Sequence, residues 1–145
     1  MKISEAYSSI IQELGSSIDD SSFERAEQLV SLVLDARRIF VLGAGRSGFM
    51  VKAFAMRLAH MGFDAYVVGE TVTPGMDGND VLLIGSGSGE TASLTAIARN
   101  AKKTGGKIAL ATISPSSTIG LMADLIIPIR GVSPKIGGEK RLLLV

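Results

Sequence analysis

A chain of 145 residues with a net charge of +1 and no cysteine has the length of one domain and excludes disulfides and thiolate metal sites. The near-neutral charge, without a basic stripe interleaved with aromatics, points away from nucleic acid, and no apolar run approaches the roughly 18 residues that span a bilayer. A mean hydropathy of +0.35 is high for so small a domain; the excess reads as an interface between copies of the chain, in a dimer or tetramer.

Ile3, Tyr7, Ile10, Ile11, Leu14 and Ile18 recur at helical spacing and predict an amphipathic helix over 3–18. Glu5 and Glu13 break its apolar face, so the N-terminus lacks the core of a signal peptide. With cysteine absent, this fits a reducing, cytoplasmic setting. Ser21 followed by Glu24 resembles a capping box. It opens a second helix carrying Phe23, Ala26, Val30, Val33 and Leu34 to about Ala36. "RIFVLG" is short, apolar and without alternation, as a strand buried on both faces is. A helix follows over 47–61. It is apolar nearly all round, with Lys52, Arg57 and His60 its strongly polar residues, and predicts burial on more than one side.

"DAYVVG" (64–69) and "DVLLIG" (80–85) are the second and third strands, separated by a loop that Pro74, Gly75 and Gly78 mark. The next helix runs from Thr91 to Thr104 and finishes on Lys102, Lys103 and Gly105. "KIALATI" is the fourth strand, "STIGLMA" a short helix and "DLIIPI" the fifth strand. The organisation expected is N-terminal helices over 1–35, packing on the core or a partner subunit, a core over 36–130 and a tail over 131–145.

Strands alternating with helices predict an α/β fold with a doubly wound, five-stranded parallel sheet in the order 2-1-3-4-5. Ligands bind such sheets at the switch point, beyond the carboxyl ends of strands one and three. Two glycine-rich turns, "GAGRSG" and "GSGSGET", follow those two strands and are expected to face each other across one crevice. In the second, Gly85, Gly87 and Gly89 let the backbone amides converge, and Ser86, Ser88 and Thr91 add hydroxyl donors at a helix start, which suits a phosphate. No Gly-Lys-Ser/Thr follows, so it is not a nucleotide P-loop. Glu90 reads as a first-turn residue held by the helix dipole and directed away from the anion.

The first turn satisfies G-x-G-x-x-G, and Glu70 ends the second strand near where a dinucleotide fold holds its ribose. An NAD-binding domain is therefore an alternative reading. Against it stand the separate anion site of the second turn and the lack of sequence for a substrate domain. Arg46 and Ser47 suit a phosphorylated polyol, although Ser47 also reads as a helix N-cap.

"FVLGAGRSGFMVKAFAMRLAHMGFDAYVVGETVTP" together with "IGSGSGET" resembles the sugar isomerase (SIS) domain, and within it the 6-phospho-3-hexuloisomerases. The resemblance runs from about Ala36 to Ile129. It implies a flavodoxin-like SIS fold, interconversion of 3-hexulose 6-phosphate and fructose 6-phosphate in formaldehyde assimilation or its reverse, a tetramer with sites near subunit boundaries, and no cofactor. Carried over by position, it makes Ser47, Ser86, Gly87, Ser88, Gly89, Glu90 and Thr91 substrate-binding residues.

Moving a carbonyl between neighbouring carbons needs a base for the carbon-bound proton and donors for the oxyanion of the enediol. Glu70, beside the switch point, and His60, the one histidine, are the candidates. His60 stands at the far end of its helix, about 20 Å from the first turn. The family's glutamate lies after the fifth strand, in a helical region not matched here, and Glu139 in "GGEKRLLLV" does not fit its motif. The expectation is a chain that binds sugar phosphate and isomerises poorly. A non-catalytic sugar-phosphate-binding module is the second reading.

Overall fold

The computed structural model describes residues 2–131, so the expected tail and Glu139 lie outside the described residues. Helices α1 (Ile3–Ser16) and α2 (Asp20–Asp35) precede β1 (Ile39–Gly43), α3 (Gly45–His60), β2 (Ala65–Val67), β3 (Val81–Gly85), α4 (Ala92–Lys103), β4 (Lys107–Thr112), a single 3-10 turn (Gly120–Met122) and β5 (Leu125–Pro128). Every strand pair is parallel and the order is β2-β1-β3-β4-β5, as the alternation predicts.

The central strands read as unbroken apolar runs because both faces are covered. Phe40, Leu42, Leu82, Ile84, Ile108 and Leu110 point to one face, against Leu94, Ala98 and Ala101 of α4 and Ile119. Ile39, Val41, Val81, Leu83 and Ala109 point to the other, against Val33 of α2 and Ala55 and Leu58 of α3. Each large side chain so buried contributes about 1.5–3 kcal/mol. The sheet is thus the middle of three layers.

At the amino end of the sheet, the wholly buried carboxylate of Asp80 accepts hydrogen bonds from Arg38 (2.6 and 3.1 Å) and from the Asp77 N–H (2.7 Å). Arg38 also donates to the Gly75 carbonyl and lies over the Phe40 ring, 5.4 Å from its centroid. This network fastens the loop between β2 and β3 to the start of β1.

Four local expectations change. The N-cap of α2 is Asp19, not Ser21: its carboxylate accepts from the Ser22 N–H (3.1 Å), completing a capping box with Ser22 in place of Glu24. A carboxylate suits the positive end of a helix better than a hydroxyl does. β2 stops at Val67 because the chain turns at Gly69, whose φ is +97°. α3 starts at Gly45, two residues early, with Ala44 as N-cap, so Ser47 is inside the helix rather than capping it.

The fourth change concerns the apolar girdle of α3. Within one chain only Gly48, Ala55 and Leu58 are buried, while Phe49, Met50, Phe54, Met56 and Met61 are exposed. α1 buries nothing, and Ile3, Tyr7, Ile11, Leu14 and Ile18 form an open stripe. Arg130, past β5, donates to the Ser16 carbonyl (3.3 Å) and ion-pairs with Asp19, tying the α1–α2 corner to the strand end. Among the described residues no helix is long and apolar enough to cross a membrane.

Candidate functional site

β1 and β3 end at the same level: Gly43 pairs with Gly85, so both glycine-rich turns leave the carboxyl end of the sheet side by side. All three glycines of the first turn have a local cause. A Cβ on Gly48 would stand 2.9 Å from the Gly43 carbonyl oxygen, and one on Gly43 would stand 3.0 Å from Gly48. Gly45 adopts φ +56°, a conformation L side chains rarely take. The dinucleotide-like spacing is therefore accounted for by the packing of α3 on β1. Glu70, placed at the ribose position in that reading, instead pairs with Lys52 of α3 at 3.2 Å.

The second turn folds on its own hydroxyls. Ser86 is buried, and its Oγ accepts from the Gly89 N–H (3.1 Å); Ser88 Oγ accepts from the Glu90 N–H (3.3 Å). Gly89 has φ +62°, and a Cβ there would fall 1.9 Å from Ser117 Oγ. Thr91, the N-cap of α4, makes no side-chain cap bond. Ala44, heading α3, makes none either. Two helix starts without side-chain caps therefore lie at the ends of adjacent strands, the arrangement in which amide dipoles attract an anion.

Across from the second turn, the segment after β4 forms an arch tied down at both ends. At one end the Gly87 carbonyl accepts from the Ile113 N–H and from Thr112 Oγ1, both at 3.1 Å. At the other, the Ile119 N–H donates to the Gly89 carbonyl (3.2 Å). There too, Thr118 donates its N–H (2.6 Å) and its hydroxyl (2.7 Å) to the two oxygens of Glu90. Those bonds, the backbone one first, hold the Glu90 carboxyl below the usual glutamate range. Glu90 thus precedes the helix instead of standing in its first turn, and its charge is turned onto the arch.

Between turn and arch opens a cavity of about 590 Å³, lined by Ser88, Glu90 and Thr91 on one side and Ser114 to Ser117 on the other. It lies over β3 and β4, one strand along from the crevice expected over β1 and β3. Arg46 and Ser47 do not line it. Ser47 abuts the second turn from the α3 side, its Cβ 3.6 Å from where a Cβ on Gly85 would be, and Arg46 is exposed. The sequence reading missed the arch. Its signal was present in "SPSST", four hydroxyls around a proline just past the carboxyl end of a strand. His60 is exposed in the last turn of α3, at the end away from the first glycine turn. Among the described residues no group of three or more acids and histidines could hold a metal ion.

The SIS domain family model matches residues 32–138. A 3-hexulose-6-phosphate isomerase of Bacillus subtilis (strain 168) is 51% identical over 135 residues, 93% of this chain and 72% of that protein. One crystal structure, of a hypothetical protein, has a TM-score of 0.80 at 45% identity and covers 89% of this chain and 67% of its own. Another, of a Methanococcus jannaschii protein inferred to be a 3-hexulose-6-phosphate isomerase, has a TM-score of 0.73 at 36% identity, with 79% and 66% covered.

Proposed function

We propose that this chain, which belongs to the SIS domain family, interconverts 3-hexulose 6-phosphate and fructose 6-phosphate, a reading supported by its 51% identity to the Bacillus subtilis 3-hexulose-6-phosphate isomerase. The observation that carries the proposal is the cavity between two hydroxyl-rich walls at the ends of β3 and β4. A phosphate monoester fits the second turn. Gly87 leaves room at the backbone, Ser88 and Thr91 supply hydroxyls to the cavity, Ser86 braces the turn through the Gly89 N–H, and the α4 start supplies a positive dipole end. The polyol chain then extends under the arch. Ser47 abuts the second turn from the α3 side, but neither it nor Arg46 lines the cavity, and the proposal gives them no contact with the sugar.

The reaction removes the proton from the carbon beside the carbonyl, passes through a 2,3-enediol, and returns a proton to the neighbouring carbon. Neutral hydroxyl donors on both walls of the cavity favour the enediol's developing oxyanion. Of the two candidate bases, Glu70 is held by Lys52 and His60 is remote from the turn; the Glu90 oxygens are taken by Thr118. The proposal assigns the base to none of these. A homo-oligomer, dimer or tetramer, belongs to the same reading and is supported by the open stripes of α1 and α3. So does a cytoplasmic setting, in keeping with a cysteine-free chain.

The test is proton exchange. Fructose 6-phosphate incubated with the purified chain in deuterium oxide should exchange hydrogen at C3, followed by NMR. Exchange at C1 instead would mean a different isomer pair. Binding without exchange at either carbon would leave a sugar-phosphate-binding module and remove the isomerase reading.

A further inference from the structure

We infer that Glu90 is a positioning residue that acts through Thr118, holding the Ser114–Ser117 arch at the height where its hydroxyls meet the sugar chain of the ligand. The inference rests on the proposed sugar-phosphate site and adds to it the part that reads the sugar rather than the phosphate.

The arch has two feet. One is main chain and β4 side chain: the Gly87 carbonyl holds Ile113 and Thr112. The other depends on one carboxylate, since both Glu90 oxygens are engaged by Thr118, alongside the single backbone bond from Ile119 to Gly89. Between the feet, Ser114 and Ser116 line the cavity with exposed or half-exposed side chains. Ser117 is buried, and its Oγ accepts from the Gly120 N–H. Ser114 and Ser116 are thus the more exposed of the serines that line the cavity from the arch, and their height above the second turn is set by the two feet. A carboxylate beside an anion site would ordinarily oppose a phosphate. Here two charge-assisted hydrogen bonds direct it at the arch, so it fastens one wall while facing away from the other.

The test compares two ligands, fructose 6-phosphate and inorganic phosphate, by titration calorimetry on the full chain and its variants. Glu90→Ala should weaken fructose 6-phosphate by roughly tenfold, the scale of a lost charge-assisted bond, and leave inorganic phosphate unchanged or tighter. Glu90→Gln, which keeps an acceptor for the Thr118 N–H, should restore most of the loss. Thr118→Val, which keeps the N–H and drops the hydroxyl, should cost about threefold. The double variant should be no worse than Glu90→Ala, because the two residues act as one.

Equal losses for both ligands would place Glu90 in the phosphate cradle and overturn the inference; so would unchanged sugar-phosphate affinity in Glu90→Ala or, should that variant not fold, in Thr118→Val. Failure of the unsubstituted chain to bind fructose 6-phosphate would instead remove the proposed function on which the inference stands.

Discussion

Gly48 in the first turn of α3 lies against Gly43 at the end of β1, close enough that a methyl group on Gly48 would sit 2.9 Å from the Gly43 carbonyl oxygen. The obstacle is backbone on both sides, so it cannot rotate away. Gly48→Ala should therefore push α3 off β1 and destabilise the fold by about 1–3 kcal/mol, read by urea denaturation. Gly15→Ala, where a Cβ meets nothing within 4 Å, is the control and should be neutral or slightly stabilising. Equal stability of the two variants would sink the close-packing account of the glycine triplet and reopen the dinucleotide reading.

Ser88 faces the cavity from the second turn. Ser88→Asp brings a second negative charge to the site proposed for the phosphate, and like charges at short range cost several kcal/mol. Affinity for fructose 6-phosphate should fall by about a hundredfold or more. The melting temperature should change little, since the side chain is only partly buried. Undiminished affinity in calorimetry would move the phosphate elsewhere.

Burial pushes the Asp80 carboxyl up. The hydrogen bonds from Arg38 and the Asp77 N–H, with the charges of Arg38 and Arg37, outweigh that and hold it below the ordinary aspartate value of 3.8. A carboxylate depressed in the folded state adds stability above its unfolded pKa, and that stability is lost as pH falls through the folded value. The native chain should weaken progressively below about pH 4. Asp80→Asn leaves Arg38 with the more distant Asp77 carboxylate, at 3.4 Å, as its counter-ion and should cost about 1–3 kcal/mol at neutral pH. The variant should then lose less than the native chain on acidification. Parallel acid profiles would show that Asp80 does not set the transition.

Tyr7 and Ile11 stand one helical turn apart on the open stripe of α1. Lysine at both positions should split the proposed oligomer into smaller species, measured by light scattering. Folding should be preserved to within about 0.5 kcal/mol, because neither side chain is buried in the single chain. An unchanged molar mass would exclude this stripe from the interface.

The strand order was legible because each strand is apolar without alternation and each pair is bridged by a crossover with its own punctuation. What escaped was set by tertiary neighbours. Pro74 read as loop and Gly69 as the end of the strand, and nothing in "DAYVVG" says that the chain leaves the sheet after Val67. Asp19 took the cap from Ser21 because a carboxylate outcompetes a hydroxyl there, and Ser21 itself donates to it at 2.6 Å. The second glycine turn was found through its glycines. The arch, with no glycine between Ser114 and Ile119, was not read as part of the site; Ser117 to Ile119 were taken into the short helix, which the structure confines to a 3-10 turn at Gly120–Met122, although the arch forms half of the cavity wall. Glu90 was legible as an acid beside an anion loop, but its partner lies 28 positions away, a distance no local pattern spans.

The Gly87 and Gly89 carbonyls, which hold the two feet of the arch, put main chain at the base of the pocket wall. Amino-acid replacement cannot rewrite a peptide group, whereas Ser114 and Ser116 can each be exchanged by one codon change without touching that base. Diversification under selection is thereby channelled: the turn proposed to grip the phosphate stays constant while the wall proposed to meet the sugar is left open to change.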